Sequence, residues 1–365
     1  HGLMVAKRSG ITALFDMPNT NPPLTGREAI TRRLREANAL ASGVSYHIWA
    51  GVTGDTQQVR EVAKLAEELY PSVIGLKFFA GHSTGNMGLT GEDQQYAVYH
   101  ALSEAGYEGV VALHCEKESM LHPELYDPDD FSTHSMARPP EAEIASVADQ
   151  IRLSKEANFR GHLHICHLST MGALSVVEGA RREGRRISCA VTPHHILLDE
   201  EDATDRSLWA KMNPPLRSRE DREALIQGVL DGTIDMIATD HAPHSKEEKS
   251  QGLEKSMNGV VGLETSFPTL YTALVKPGIL PLHRLIELMS VSPNQRFGFQ
   301  IPNLQDNFTL FDLSDKYIVD PDQFLSKGRS TPFQGMEVYG RCLATVYKSK
   351  AVWLDKSTHY FKEEA

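Results

Sequence analysis

Short β-branched and apolar runs alternate along this chain with longer stretches of helical period. No other feature limits the fold so tightly, because strand, crossover helix and parallel strand form the repeating unit of α/β proteins. Seven runs can be read, at 11–16, 45–52, 73–79, 109–114, 162–167, 187–192 and 234–238. Helical stretches lie between them at 27–40, 57–69, 92–105, 141–157, 173–182 and 220–230, with capping or turn residues near their ends. A length of 365 residues admits two domains or one large barrel with an annex. The pattern predicts an α/β fold with a parallel sheet, and a TIM-type (β/α)8 barrel is the single-domain form it admits. Seven strands do not close an eight-stranded barrel, so the first strand is expected ahead of His1, where His1-Gly-Leu-Met reads as the interior of a longer chain.

Past the seventh run come a charged loop at 244–257, with the charge and Gly content of a mobile lid, and helices around 264–274 and 282–288. The tail changes character. Strand-like pieces at 308–313, 316–319, 338–339 and 344–347 are separated by Pro, Gly and Asp. The expected division is a barrel over 1–300 and a small β annex over 301–365.

Composition removes several function classes. With 37 Lys and Arg against 48 Asp and Glu, the formal net charge of −11 opposes binding to nucleic acid or an anionic membrane. The densest basic run, Arg181-Arg182-Glu183-Gly184-Arg185-Arg186, is broken by Glu and Gly. No apolar stretch reaches the length of about 18 residues that a bilayer demands. Cys115, Cys166, Cys189 and Cys342 are widely spaced, with no C-x-x-C pair, which favours a reducing cytoplasm. Sixteen histidines then pose the question of where they sit.

In parallel α/β folds, functional groups gather at the carboxyl ends of strands. Here the first run exits into Met17-Pro-Asn-Thr20, the fourth into His114-Cys-Glu116 and the fifth into His167-Leu-Ser-Thr170. The sixth exits into Thr192-Pro-His-His195 and the seventh into Thr239-Asp-His-Ala-Pro-His244. His162 and His164 alternate with Leu163 and Ile165, so they should share a face with Cys166, and a structural role is favoured over a ligand role because they lie inside the strand. Lys77 is the most informative residue, set in the apolar run Ile74-Gly-Leu-Lys-Phe-Phe-Ala80. A buried lysine needs a partner or loses its proton. One reading is a salt-bridged or snorkelling side chain. The other is a neutral amine that takes up carbon dioxide to give a carbamate, an anionic ligand able to bridge two metal ions. With His114, His167 and Asp240 at neighbouring strand ends, the second reading is preferred, and oxygen with imidazole suits zinc or a similar divalent ion.

These motifs resemble the dihydroorotases of the cyclic amidohydrolase superfamily, from about residue 9 to the end. The resemblance rests on Asp16-Met-Pro-Asn-Thr20, Gly75-Leu-Lys-Phe-Phe79, Leu113-His-Cys-Glu116, Arg138-Pro-Pro-Glu-Ala142, Cys166-His-Leu-Ser169, Thr192-Pro-His-His195, Lys211-Met-Asn-Pro-Pro-Leu-Arg217 and Thr239-Asp-His-Ala-Pro-His244. It implies a metal-dependent hydrolase barrel, with Lys77 as the carboxylated bridging lysine, His114 and His167 as ligands of one metal, and Asp240 as ligand and general base. It also implies that Asn19, Asn213 and His244 hold the substrate's carboxylate and ring amide, although Asn beside Pro is also a common turn former. Arg217 could hold an anion or be a solvated loop arginine; His195 and His241 match family positions without an assigned role.

The family's first barrel strand carries a His-x-His pair followed by an arginine, and neither occurs here, which leaves the second metal's set as Lys77 and Asp240 alone. The implied activity is reversible hydrolysis of the cyclic amide of L-dihydroorotate to N-carbamoyl-L-aspartate, in de novo pyrimidine biosynthesis. Allantoinase and dihydropyrimidinase are the rivals within the superfamily. A catalytically inactive structural partner of aspartate transcarbamoylase is the rival from another class. A small-molecule substrate, a homodimer and no nucleic-acid or membrane partner complete the expectation.

Overall fold

The computed structural model describes residues 1–40, 43–83, 85, 87–298 and 305–357. Its strands are β1 (Ala13–Asp16), β2 (Ser45–Gly51), β3 (Val73–Ala80), the two-residue β4 (Gly88–Leu89), β5 (Val110–Cys115), β6 (His162–Ile165), β7 (Ile187–Val191) and β8 (Met236–Ile237). All pair in parallel in the order β1-β2-β3-β5-β6-β7-β8, with β4 lying beside β3. The seven expected strands are therefore all present.

Period-two alternation sorts the side chains of each strand. Leu76, Phe78 and Ala80 of β3, Val111 and Leu113 of β5, Leu163 and Ile165 of β6, and Ile187, Cys189 and Val191 of β7 pack outward with helix residues such as Val59, Val98, Val147, Val177 and Leu225. Residues of the opposite parity meet inside: Trp49, Ile74, Ala112, Cys166, Ala190 and Met236 share one cluster with Phe297. In a flat sheet, strands about 4.8 Å apart would hold β2 and β8 roughly 24 Å from each other. Their joint contact with one cluster requires a curled sheet. Phe297 fills its centre, meeting Phe15 and Trp49 edge-on at 5.2 Å and His164 at 5.5 Å.

The helices start where side chains can cap them. Asp55 accepts from the backbone N–H groups of Gln57 and Gln58 at helix Thr56–Glu68, Thr170 caps Met171–Arg182, and Ser218 caps Arg219–Asp231. Each such cap contributes about 1 kcal/mol. The last of these helices ends at Gly232, whose φ of 89° suits a residue without Cβ.

The annex departs from expectation. Its four short pieces merge into β9 (Phe308–Ile318) and β10 (Glu337–Tyr347), joined by β11 (Lys350–Leu354), in an antiparallel sheet ordered β11-β10-β9. The polar interruption at Asp312-Leu-Ser-Asp315 does not end the strand. The Asp312 carboxylate accepts from the Ser314 and Asp315 N–H groups, and the register shifts at Tyr339/Arg341 and Cys342/Ala344 absorb the irregularity as bulges. An unanticipated helix, Gly2–Arg8, docks here. Thr345 donates to the Lys7 carbonyl at 2.7 Å and Thr309 to that of Gly10 at 2.8 Å. The expected domain boundary between 300 and 301 lies outside the described residues. Among the described residues no helix is long and apolar enough to cross a membrane.

Several histidines are built into the core in neutral form. His162 and His164 point inward as expected, and both meet the Ser188 hydroxyl, at 2.8 and 2.9 Å. His134 meets the Met212 carbonyl at 2.9 Å through Nε2. Burial depresses all three to about 3. Unfolding below pH 6.5 therefore takes up protons that the folded state refuses, and stability falls as pH drops from 6.5 toward 3. Each histidine contributes up to about 1.4 kcal/mol per pH unit in that window. Urea denaturation should show a markedly lower midpoint at pH 5 than at pH 7; an unchanged midpoint would contradict the buried neutral state.

Candidate metal centre at the strand ends

Lys77 lies between Leu76 and Phe78, which face the helices, so its side chain enters the barrel. It is 2 % exposed in a strand whose every residue is buried. Its Nζ donates to the Cys166 thiol at 3.4 Å and stands 4.7 Å from the centre of the Phe79 ring. The salt-bridged alternative finds no support among the described residues, where the amine's close neighbours are a sulfur and an aromatic face.

His114, near the end of β5, and His167, after β6, converge. His114 Nδ1 and His167 Nε2 are 3.2 Å apart, and the rings meet edge to face at 5.0 Å. Burial lowers the pKa of both, assisted at His167 by His114 and by Lys77, so both imidazoles are neutral near pH 7. Neutral imidazole is the ligating form. Two zinc–nitrogen bonds of tetrahedral geometry would set their nitrogens about 3.3 Å apart, close to the separation observed.

Asp240, two residues beyond Ala238 and at the mouth of the barrel, has its carboxyl pushed up to about 6 by burial, with Lys77 acting in the opposite sense. Among the described residues no three His, Cys, Asp or Glu side chains converge as a ligand set. A bare lysine is not a ligand of that kind; a carbamate on Lys77 would add the anionic oxygens that draw the two imidazoles and Asp240 together. His167 and Asp240 also share a left-handed backbone, with φ of 35° and 45°, a conformation that costs a non-glycine residue of order 1 kcal/mol or more.

The other expected site residues fall on loops at this same end. Asn19 is exposed, with its Cβ against Gly85. Asn213 has a buried Oδ1 with no hydrogen-bond partner among the described residues, an acceptor left open. His244 is anchored through Nε2 to the Asn258 carbonyl at 3.0 Å. His195 is satisfied at both nitrogens, by the Thr192 hydroxyl at 2.8 Å and the Pro214 carbonyl at 3.0 Å, which is a structural role. His241 Nδ1 accepts from the N–H groups of Gly262 and Leu263, which places its proton on Nε2. Arg217 is neither solvated nor free: it is 4 % exposed, and it donates to the Ser169 hydroxyl and the Arg138 carbonyl.

With that geometry in hand, comparison with known proteins decides the family. The chain is 36% identical over 368 residues to a dihydroorotase of Bacillus cytotoxicus, spanning 98% of this chain and 82% of the relative. It is 37% identical over 366 residues to a dihydroorotase of Halalkalibacterium halodurans, spanning 97% and 82%. The chain belongs to the dihydroorotase family. It is accordingly an enzyme of the metal-dependent cyclic amidohydrolase kind. Among solved structures, L-hydantoinase (dihydropyrimidinase) from Arthrobacter aurescens superposes with a TM-score of 0.85 at 26% identity, over 96% of this chain and 78% of that one. Dihydropyrimidinase from Brevibacillus agri gives 0.83 at 21% identity, over 97% and 79%, which speaks to the fold alone. The curled sheet is thus the TIM-type barrel of this family, with its small antiparallel annex. No protein-family model matches the chain.

Two features of this dihydroorotase-family site escaped sequence reasoning. Glu116 and Arg138, both inside quoted motifs, form a buried two-pronged ion pair at 3.0 and 2.6 Å. The available signal was a charge at the exit of β5, in Leu113-His-Cys-Glu116, and an arginine ahead of the Pro-Pro pair that opens helix Pro140–Glu156. Lys249 gave none, since Lys246-Glu-Glu-Lys249 reads as a solvated turn. Yet Lys249 is 1 % exposed and donates to the carbonyls of Lys211, Met257 and Gly259 at 2.9, 3.0 and 3.1 Å. Lys211 in turn donates to those of Leu253 and Ser256. The loop at 244–257, expected as a mobile lid, is therefore fastened from both sides, because the N–H donors of each buried amine demand those acceptors. Lys249→Ala should raise amide hydrogen exchange across 244–257 at least tenfold while leaving β5 and β6 protected. Equal exchange in the two proteins would remove the anchor.

Proposed function

We propose that this chain interconverts L-dihydroorotate and N-carbamoyl-L-aspartate by reversible hydrolysis of the ring amide. The observation that carries the reading is the buried pair of neutral imidazoles, His114 and His167, facing each other at 3.2 Å beside Lys77. In this reading Lys77 is carboxylated and, with His114, His167 and Asp240, holds zinc. When bound, the ion supplies Lewis acidity that brings the ionisation of water toward neutral pH and polarises the scissile carbonyl. Asp240 takes the proton from the attacking water and returns it to the departing ring nitrogen. Asn213 offers its open Oδ1 to the ring N–H, and Asn19 and His244 orient the substrate carboxylate.

The hydantoinase likeness supports a second reading, a cyclic amidohydrolase acting on a dihydropyrimidine or allantoin. Turnover assays with dihydroorotate, carbamoyl aspartate, dihydrouracil and allantoin separate the two. Turnover of dihydrouracil or allantoin with none of dihydroorotate defeats the first reading, and turnover of none of the four favours a structural partner of aspartate transcarbamoylase. The proposal extends to a cytoplasmic homodimer with a barrel over 1–300 and an annex over 301–365; sedimentation with and without aspartate transcarbamoylase tests the assembly.

Two variants test the chemistry. Asp240→Asn should lower kcat by about a hundredfold or more with zinc content retained. Lys77→Ala should abolish zinc binding, and intact-mass measurement of the unchanged chain should find the added mass of one carbon dioxide on Lys77. Full zinc occupancy in Lys77→Ala would refute the bridging role.

A further inference from the structure

Behind the metal-facing side of His114 lies a carboxylate with nowhere to go. Glu116 is fully buried, and its Oε2 stands 3.1 Å from His114 Nε2, on the opposite edge of the ring from His167. Arg138 grips it with Nε on Oε1 at 3.0 Å and Nη2 on Oε2 at 2.6 Å, a fork geometry that permits one orientation of the carboxylate. Both ends of this grip are themselves held. The Glu116 N–H donates to the Ala80 carbonyl at the end of β3, and Gly81, at φ 113°, packs so closely that a Cβ there would collide with the Glu116 carbonyl. Arg138 also donates to the His82 carbonyl at 3.1 Å and receives Arg217 at its own carbonyl.

We propose that Glu116, fixed by Arg138, is a positioning residue that sets the His114 tautomer, placing the proton on Nε2 and leaving the Nδ1 lone pair for the metal. The inference rests on the metal-site reading above. The 3.1 Å approach of Oε2 to Nε2 is not aligned as a hydrogen bond, but an ionised carboxylate repels a nitrogen lone pair and attracts an N–H, which favours the proton on Nε2. The nitrogen that remains for a metal is then Nδ1, which is the one that already faces His167. A carboxylate behind a ligating histidine fixes ring orientation and raises ligand basicity, and its loss typically weakens metal binding by about 10–100-fold. A merely structural ion pair between Glu116 and Arg138 would leave the tautomer of His114 to chance.

The experiment uses the 365-residue chain, with Glu116→Ala, Glu116→Gln and His114→Ala variants. Zinc affinity is read by chelator competition, and the His114 tautomer by nitrogen NMR of the metal-free, histidine-labelled chain. The expected result is a single Nε2–H tautomer in the unchanged chain and a mixture in Glu116→Ala. Zinc binding should weaken by about 10–100-fold in Glu116→Ala, weaken less in Glu116→Gln, and vanish in His114→Ala. Unchanged affinity and tautomer in Glu116→Ala, with zinc lost in His114→Ala, overturns the positioning role while sparing the metal site. Undiminished zinc binding in His114→Ala overturns the metal reading, and the role of Glu116 with it. Should Glu116→Ala fail to fold, Glu116→Gln decides by zinc affinity, because the amide keeps the shape and an acceptor oxygen but not the charge: an affinity equal to that of the unchanged chain then rejects the proposal.

Discussion

One primary amine, enclosed by a strand with no exposed residue, sets the terms for the barrel mouth. Lys77 has a thiol and an aromatic ring as its near neighbours. An amine so placed is a poor structural choice, since an apolar side chain of similar volume would fill the space without desolvating a charge. A chemical role for that amine, as proposed above, accords with dihydroorotase-family membership and with the paired imidazoles.

Around that amine the loops are held by charges that never reach water. Glu116 and Arg138 pair directly, Arg217 reaches the Arg138 carbonyl and the Ser169 hydroxyl, and Glu143 accepts from the Ser169 N–H at 2.9 Å and the Thr170 hydroxyl. Burial lifts Glu143 to about 7, against the pull of Arg217. A network of this kind adds little net stability over apolar packing, yet removing one member costs about 3–5 kcal/mol, because the partner is left charged and buried. Its effect is geometric. The segments after β3, β5 and β6 and the stretch 211–217 are tied into one frame that presents the two imidazoles to each other.

How much of this was legible in the sequence follows from which forces act locally. The strands were readable because both faces of a parallel sheet are covered, and the helices ran true to within a residue or two, as at Arg27–Ala39 and Glu92–Glu104. Lys77, His114, His167 and Asp240 were readable as polar residues where a buried strand should be apolar or has just ended. The annex was legible as a small β unit but its strands were split into shorter pieces, because bulges let polar residues stay within β9 and nothing in a local window distinguishes a bulge from a break. The burial of Arg217, left open between an anion contact and a solvated loop, and of Lys249, within a loop expected to be mobile, was not legible for a deeper reason: a charge on a loop is buried only when distant carbonyls or carboxylates are brought to meet it, and those partners are a property of the fold.

The backbone itself argues that the strand ends are shaped for chemistry and not for packing. His167 and Asp240 adopt the left-handed region although neither is glycine, and each immediately follows or closely follows a barrel strand. A regular extension of β6 would carry residue 167 outward, toward the helices, by the same alternation that sends Leu163 and Ile165 there. The left-handed turn reverses that direction and swings the imidazole inward to His114. Glycine could adopt the turn without strain but would bring no side chain, so the strain is borne by the residue whose side chain is needed. The barrel holds the position because Leu168, directly after the turn, is fully buried and donates its N–H to the Ala190 carbonyl of β7 at 2.8 Å, locking the exit of the chain on the far side.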